Sequence, residues 1–287
     1  GTDGFNDAVV TALRQIAANR TPERLTALAA LVSKRRPHLV GLQEVWEFRC
    51  IPAVPEPGGY PCNHPSIAGA FNDHLAGTLA ALGPSYNDVA FVQNFAVESF
   101  EPIPGLVLPG IPFELNGVPA FLQVQDRDVI LARSDVATTN VALPCQQESE
   151  DGCNFDVDLP LGALGSVERG FLAVDATING VDYRFFNTHL EVPGNALIPG
   201  EVQAAQAFQL IGTALATLPP GRKLIIVGDM NSSPNDAPST LPTPYMQFDA
   251  AGFFDVWNLR PGATPGMSCC QFENLSNRSR RSTSAST

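Results

Sequence analysis

Three apolar runs in this chain end in groups that can do acid–base or metal chemistry. His38-Leu39-Val40-Gly41-Leu42 leads into Gln43-Glu44, Val181 to Asn187 leads into Thr188-His189, and Lys223 to Val227 leads into Gly228-Asp229-Met230-Asn231. In open α/β sheets ligands gather beyond the carboxyl ends of strands, so three such ends propose one site built from distant parts of the chain. Glu44, His189, Asp229 and Asn231 supply hard oxygen donors and one imidazole, a set suited to Mg²⁺ or Mn²⁺ and poor for zinc. A divalent cation, a carboxylate that orients water, an amide donor and a histidine together equip a site for metal-assisted phosphoester hydrolysis. Singly, each has an ordinary reading: Glu44 a solvated loop residue, His189 a hydrogen-bonded structural histidine, Asp229 a turn former.

The elements that must position these groups are legible in outline. Asp7 to Ala18 has apolar residues near helical spacing (Val9, Ala12, Leu13, Ile16). A second helix is expected from an N-cap at Thr21, with Pro22 in the first turn, Leu25, Leu28, Leu31 and Val32 as its stripe, and Pro37 as its stop. Val89 to Val97, Phe121 to Val124 and Asp128 to Ala132 read as strands, with proline-rich stretches at Cys50–Pro65 and Pro102–Pro119. Phe171 to Ile178, Asn179-Gly180, then Val181 to Asn187 is a hairpin pattern with a type I′ turn. A helix over Glu201 to Thr217 turns Val202, Ala205, Phe208, Ile211 and Leu215 inward. Hairpin and helix–strand units together predict an α/β domain with mixed sheets.

Composition narrows the class. The 287 residues are 44% hydrophobic and 16% charged, which is enough apolar material for a large core. A formal charge of −12 disfavours tight non-specific binding of nucleic acid, which depends on basic side chains. No run approaches the ~18 apolar residues of a membrane span. Six cysteines without a C-x-x-C pair argue against structural zinc. Cys50 with Cys62, and Cys145 with Cys153, bracket short loops that disulfides can close, which suggests an oxidising compartment and a secreted or periplasmic protein; the alternative is a set of unpaired thiols.

Several motifs carry a family resemblance. Pro37-His38-Leu39-Val40-Gly41-Leu42-Gln43-Glu44-Val45 resembles the "P-D-hydrophobic-G-L-Q-E-V" motif of the endonuclease/exonuclease/phosphatase superfamily. Asn187-Thr188-His189-Leu190 is similar to its "N-T-H-L" motif, Gly228-Asp229-Met230-Asn231-Ser232 to "G-D-F-N-S", and Gly252 to Trp257 to "G-F-x-D-A-W". The resemblance implies a four-layer α/β sandwich, two mixed β-sheets packed face to face with helices outside, in one domain over residues 1–275. It implies that Glu44 binds the Mg²⁺ or Mn²⁺, that His189 contacts or protonates the phosphate, and that Asp229 activates the attacking water. Asn231 would donate to a phosphate oxygen, and Arg169, before the hairpin, resembles a phosphate-contacting arginine. The partner so implied is a phosphoester (nucleic acid, phospholipid headgroup or sugar phosphate) acted on by a monomer.

The chain departs from the family pattern at both ends: no asparagine-bearing first strand precedes Gly1, and no "R-I-D" or "S-D-H" segment follows Cys269-Cys270. An incomplete enzyme is therefore expected, with a disordered tail over 276–287. Two rivals follow: a non-catalytic binding protein on the same fold, and a lipid phosphodiesterase with Ile103 to Phe113 as an apolar rim rather than ordinary packing.

Overall fold

The computed structural model describes residues 2–54, 59–160, 166–193, 200–238 and 240–262. The tail and Cys269-Cys270 lie outside the described residues. Helix α1 (Thr2–Ala18) and α2 (Thr21–Arg35) lead to β1 (Leu39–Leu42), β2 (Glu47–Pro52), α3 (His74–Leu82) and β3 (Tyr86–Val97). Next come β4 (Phe100–Ile103), β5 (Leu106–Leu108), β6 (Ile111–Leu115) and the long β7 (Val118–Arg133). Short strands follow: β8 (Thr138–Asn140), β9 (Gln147–Ser149), β10 (Gly152–Asn154), β11 (Leu159–Pro160) and β12 (Ser166–Val167). The last part comprises β13 (Gly170–Ile178), β14 (Val181–His189), α4 (Gly200–Thr217), β15 (Lys223–Asp229) and α5 (Pro244–Ala250).

Two sheets form the centre. In the first, β7 is flanked by β1 and β2 on one side and by β3 and β6 on the other, all antiparallel. In the second, the order is β15-β14-β13-β10-β9, with β8 also on β13; β14 and β15 run parallel. Ala90, Val92 and Ile130 of the first sheet meet Leu172, Val174 and Phe185 of the second in one buried cluster. Outside the first sheet, Ala29, Val32, Leu75 and Leu82 of α2 and α3 pack on Val129 and Leu131. Outside the second, Ala207, Leu210 and Ala214 of α4 pack on Phe171, Ala173 and Phe186. The result is the four-layer sandwich.

Alternation along β7 explains this division of labour. Val129 and Leu131 face the helices while Asp126, Asp128 and Ile130 face the other sheet, as the two-residue period requires. At Gly41 the sheets approach so closely that a Cβ would lie 2.4 Å from Asn187 Oδ1 and 2.5 Å from Val227 Cγ2. Only glycine fits there, and the contact brings the end of β1 beside the ends of β14 and β15.

Several local expectations need correction. Thr21 begins helix α2 rather than capping it; Arg20 precedes it in a left-handed conformation with no side-chain cap. The segments 121–124 and 128–132 belong to one strand, β7. The stretch from Pro102 to Pro119 carries β5 and β6, because its prolines fall at edges and turns. Cys50 lies in β2 and not in a loop. Of the inner face predicted for α4, Val202 and Ile211 are buried, but Phe208 is 76% exposed and Leu215 48%, and Gln203 and Gln206 are buried in addition. Of the supposed apolar rim, Ile103, Leu106 and Val107 are exposed, but Ile111 and Phe113 are core. The hairpin matches expectation, with Asn179 and Gly180 both at positive φ and Ile178 opposite Val181. Both expected disulfides are present, Cys50–Cys62 and Cys145–Cys153.

Candidate active site

The N-T-H-L segment holds the site together. Asn187, fully buried, donates from Nδ2 to the carbonyls of Leu42 (3.0 Å) and Val129 (3.1 Å), and its Oδ1 accepts from Gln43 Nε2 (2.5 Å). It therefore bolts the second sheet to the end of β1, next to Glu44. Thr188 donates to the Gly170 carbonyl (2.8 Å), which fixes β14 against the residue following Arg169.

His189 and Asp229 are paired in register across the parallel β14–β15 ladder. Beyond Asp229 the chain turns: Asn231 has φ 46°, and its backbone N–H donates to Asp229 Oδ1 (3.0 Å), an Asx-type turn. Gly228 permits this approach, since a Cβ there would meet the Thr188 carbonyl oxygen at 2.0 Å. Asn231 Nδ2 lies 3.2 Å from His189 Nε2 and donates to the Leu190 carbonyl (2.8 Å). Gln203 of α4 donates to the carbonyls of Met230 (3.2 Å) and Asn231 (2.5 Å).

On its other side, His189 Nδ1 is 2.9 Å from Arg169 Nη1. Arg169 Nε reaches Glu191 Oε2 (3.5 Å), and Glu191 is in turn fixed by Gln206 Oε1, which accepts its backbone N–H (2.7 Å). Burial first, then the Arg169 charge, push the His189 pKa down to about 3, so its imidazole is neutral at physiological pH.

Of the five residues singled out by sequence, His189, Asn231, Asp229 and Arg169 thus form one linked group. Glu44 stands across from them at the end of β1, exposed, with φ 54°. Its backbone N–H points at Asp128 Oδ1 (3.4 Å), a long contact.

Sequence reasoning missed the acidic pair behind Glu44. Asp126 and Asp128 are buried on the inter-sheet face of β7, next to the fully buried Asn94. Burial and the neighbouring Asp128 charge raise the Asp126 pKa to about 8; burial raises that of Asp128 to about 7. Asp126 Oδ1, Asp128 Oδ2 and both amide atoms of Asn94 have no hydrogen-bond partner. The signal was the i, i+2 spacing of two carboxylates at the head of an apolar run. Glu191, Gln203 and Gln206 were also missed, because nothing in their spacing separates buried polar residues from surface ones.

These donors suit a hard divalent cation in type, with one exposed carboxylate and orphaned buried oxygens behind it. Among the described residues, no three Asp, Glu, His or Cys side chains already surround a common point.

A family model described as the Endonuclease/Exonuclease/phosphatase family matches residues 12–269. The chain belongs to that family. No curated protein matches it in sequence. Among solved structures it is similar to a family protein from Leptotrichia buccalis (13% identity, TM-score 0.45, 84% of this chain and 70% of that one). It is also similar to a mannosyl-6-phosphatase from Bacteroides thetaiotaomicron (16%, 0.42, 82% and 63%). The human Nocturnin catalytic domain is a third (14%, 0.40, 80% and 62%). This family member spans about two thirds of the length of those chains, and likenesses so distant say nothing of its substrate.

Proposed function

We propose that this chain carries the site of a metal-dependent phosphoesterase, cleaving a phosphodiester or phosphomonoester by in-line attack of water. The observation that carries the reading is the convergence of His189, Asn231 and Asp229 on the ends of two paired strands, in a member of a family that includes phosphoester hydrolases. Glu44 would hold Mg²⁺ or Mn²⁺, which when bound neutralises charge on the phosphate oxygens.

The remaining work falls to side chains. Asp229, its Oδ1 held by the Asn231 N–H, orients a water and accepts its proton as the water oxygen bonds to phosphorus. The phosphorus–oxygen ester bond breaks on the opposite side, and the departing oxygen takes a proton from solvent. Asn231 and neutral His189 donate hydrogen bonds to a phosphate oxygen, and donors fixed in advance stabilise charge that grows in the transition state. Arg169 is the cation of this half of the site.

The two disulfides agree with a secreted protein. No described helix is long and apolar enough to cross a membrane. The test is hydrolysis of bis(p-nitrophenyl) phosphate with Mg²⁺ or Mn²⁺, beside Glu44→Ala. Turnover that needs the metal and is lost in the variant supports the reading; turnover indifferent to both overturns it.

A further inference from the structure

Arg169 turns two of its donor nitrogens inward. Its side chain is 11% exposed, Nε faces Glu191 and Nη1 faces His189 Nδ1. Glu191 is itself 5% exposed at its side chain, accepts the Val192 N–H at 2.8 Å and is anchored through Gln206 to α4. A guanidinium is always protonated and can only donate, so the His189 nitrogen it meets must be an acceptor. That fixes the tautomer: Nδ1 carries the lone pair and Nε2 carries the proton. Nε2 then cannot accept from Asn231, whose Nδ2 gives one hydrogen to the Leu190 carbonyl. Two donors, His189 Nε2–H and the second Asn231 amide hydrogen, are left side by side with nodes 3.2 Å apart and no acceptor between them. A phosphate oxygen is the kind of group that satisfies both at once.

We propose that Arg169, braced by Glu191, is a positioning residue that locks His189 as the Nε2–H tautomer and thereby turns His189 and Asn231 into a paired donor for one phosphate oxygen. In this arrangement Arg169 acts through the imidazole rather than by gripping substrate. The inference deepens the phosphoesterase reading in its second half; the lock itself is a property of the substrate-free protein.

The experiment is nitrogen-detected NMR on protein labelled with ¹⁵N-histidine. Only four histidines are present, and His189→Gln identifies the relevant signals. The wild type is expected to show a protonated Nε2 and an unprotonated Nδ1 at His189, unchanged from pH 5 to 8. Arg169→Met should populate the Nδ1–H form, Arg169→Lys should partly restore the original one, and Glu191→Gln should give an intermediate mixture. An Nδ1–H tautomer in the wild type, or a tautomer indifferent to Arg169→Met and Glu191→Gln, overturns the proposal. If Arg169→Met does not fold, Glu191→Gln and Arg169→Lys decide alone. In turnover, Arg169→Met should lower kcat about 100-fold with little change in KM, the loss expected when one catalytic donor is misplaced. A raised KM with kcat unchanged makes Arg169 a substrate ligand and also overturns the proposal. Because the tautomer is read without substrate, a chain that shows the lock but hydrolyses neither a phosphodiester nor a phosphomonoester refutes the phosphoesterase reading and leaves the lock standing.

Discussion

The two halves of the candidate site are built on opposite principles. On the second sheet, His189, Asn231, Asp229, Arg169 and Glu191 are each held by a named partner, and α4 ties both strand ends through Gln203 and Gln206. On the first sheet, Asp126, Asp128 and Asn94 are just as buried, yet several of their polar atoms have no partner. Buried polar groups are normally satisfied, and charge left unpaired in a low-dielectric interior is costly. One half is therefore rigid before any ligand arrives, while the other holds carboxyls whose ionisation burial opposes and a positive charge would favour. The pairing suits a catalyst that fixes its donors and recruits its cation.

The contrast can be broken at its strongest point first. Asp229→Asn should lower kcat for the generic diester by roughly 10²–10⁴-fold, as expected for loss of a proton acceptor, with the circular dichroism spectrum unchanged. Asn187→Ala should lower stability by about 2–4 kcal/mol in urea unfolding, since it removes the buried hydrogen bonds to the Leu42 and Val129 carbonyls and from Gln43 that join the two sheets.

Asp126→Asn should act in the opposite direction and stabilise the protein by about 1–3 kcal/mol near pH 8, because it removes a buried charge. The folded pKa of Asp126, about 8, lies above its unfolded value, so the native state binds the extra proton between about pH 4 and 8. Wild-type stability from this group falls as pH rises through that window, and the variant should show a flatter profile. His189 has the reverse sign. Its folded pKa of about 3 lies below the unfolded value, so stability is lost as pH falls from about 6.5 towards 3, and His189→Gln should remove that acid-side slope in unfolding measured against pH. The smallest effect belongs to Phe208→Ser on the outer face of α4, within about 0.5 kcal/mol, whereas Leu210→Ala one turn-face away should cost about 2–5 kcal/mol.

What was legible in the sequence follows the same division. Glu44, His189, Asp229 and Asn231 stood out because each interrupts an apolar run at a strand end, where the change of residue type is abrupt. The hairpin stood out because Asn179-Gly180 fits one turn. Asp126 and Asp128 did not, since Gln125-Asp126-Arg127 separates the two expected strands 121–124 and 128–132 until the partner strands show that β7 passes straight through. The face of α4 was misread for the same reason: Gln203 and Gln206 are polar yet buried, because strand-end carbonyls and N–H groups there need partners. Periodicity assumes that apolar means inside, and it fails where the interior must hydrogen-bond a functional loop.

The flank where β1 and β15 lie together has a colloidal consequence. Among the described residues each strand pairs on one side only; Leu39 and Val227 are half-buried at the inter-sheet cluster, and Ile225 is 39% exposed. Open, apolar edges are templates on which extended backbone can add. The force opposing such growth is the repulsion of molecules that each carry −12. At an ionic strength near 1 M the screening length shrinks to about 3 Å. This acidic protein should therefore precipitate more readily in concentrated salt than in dilute buffer.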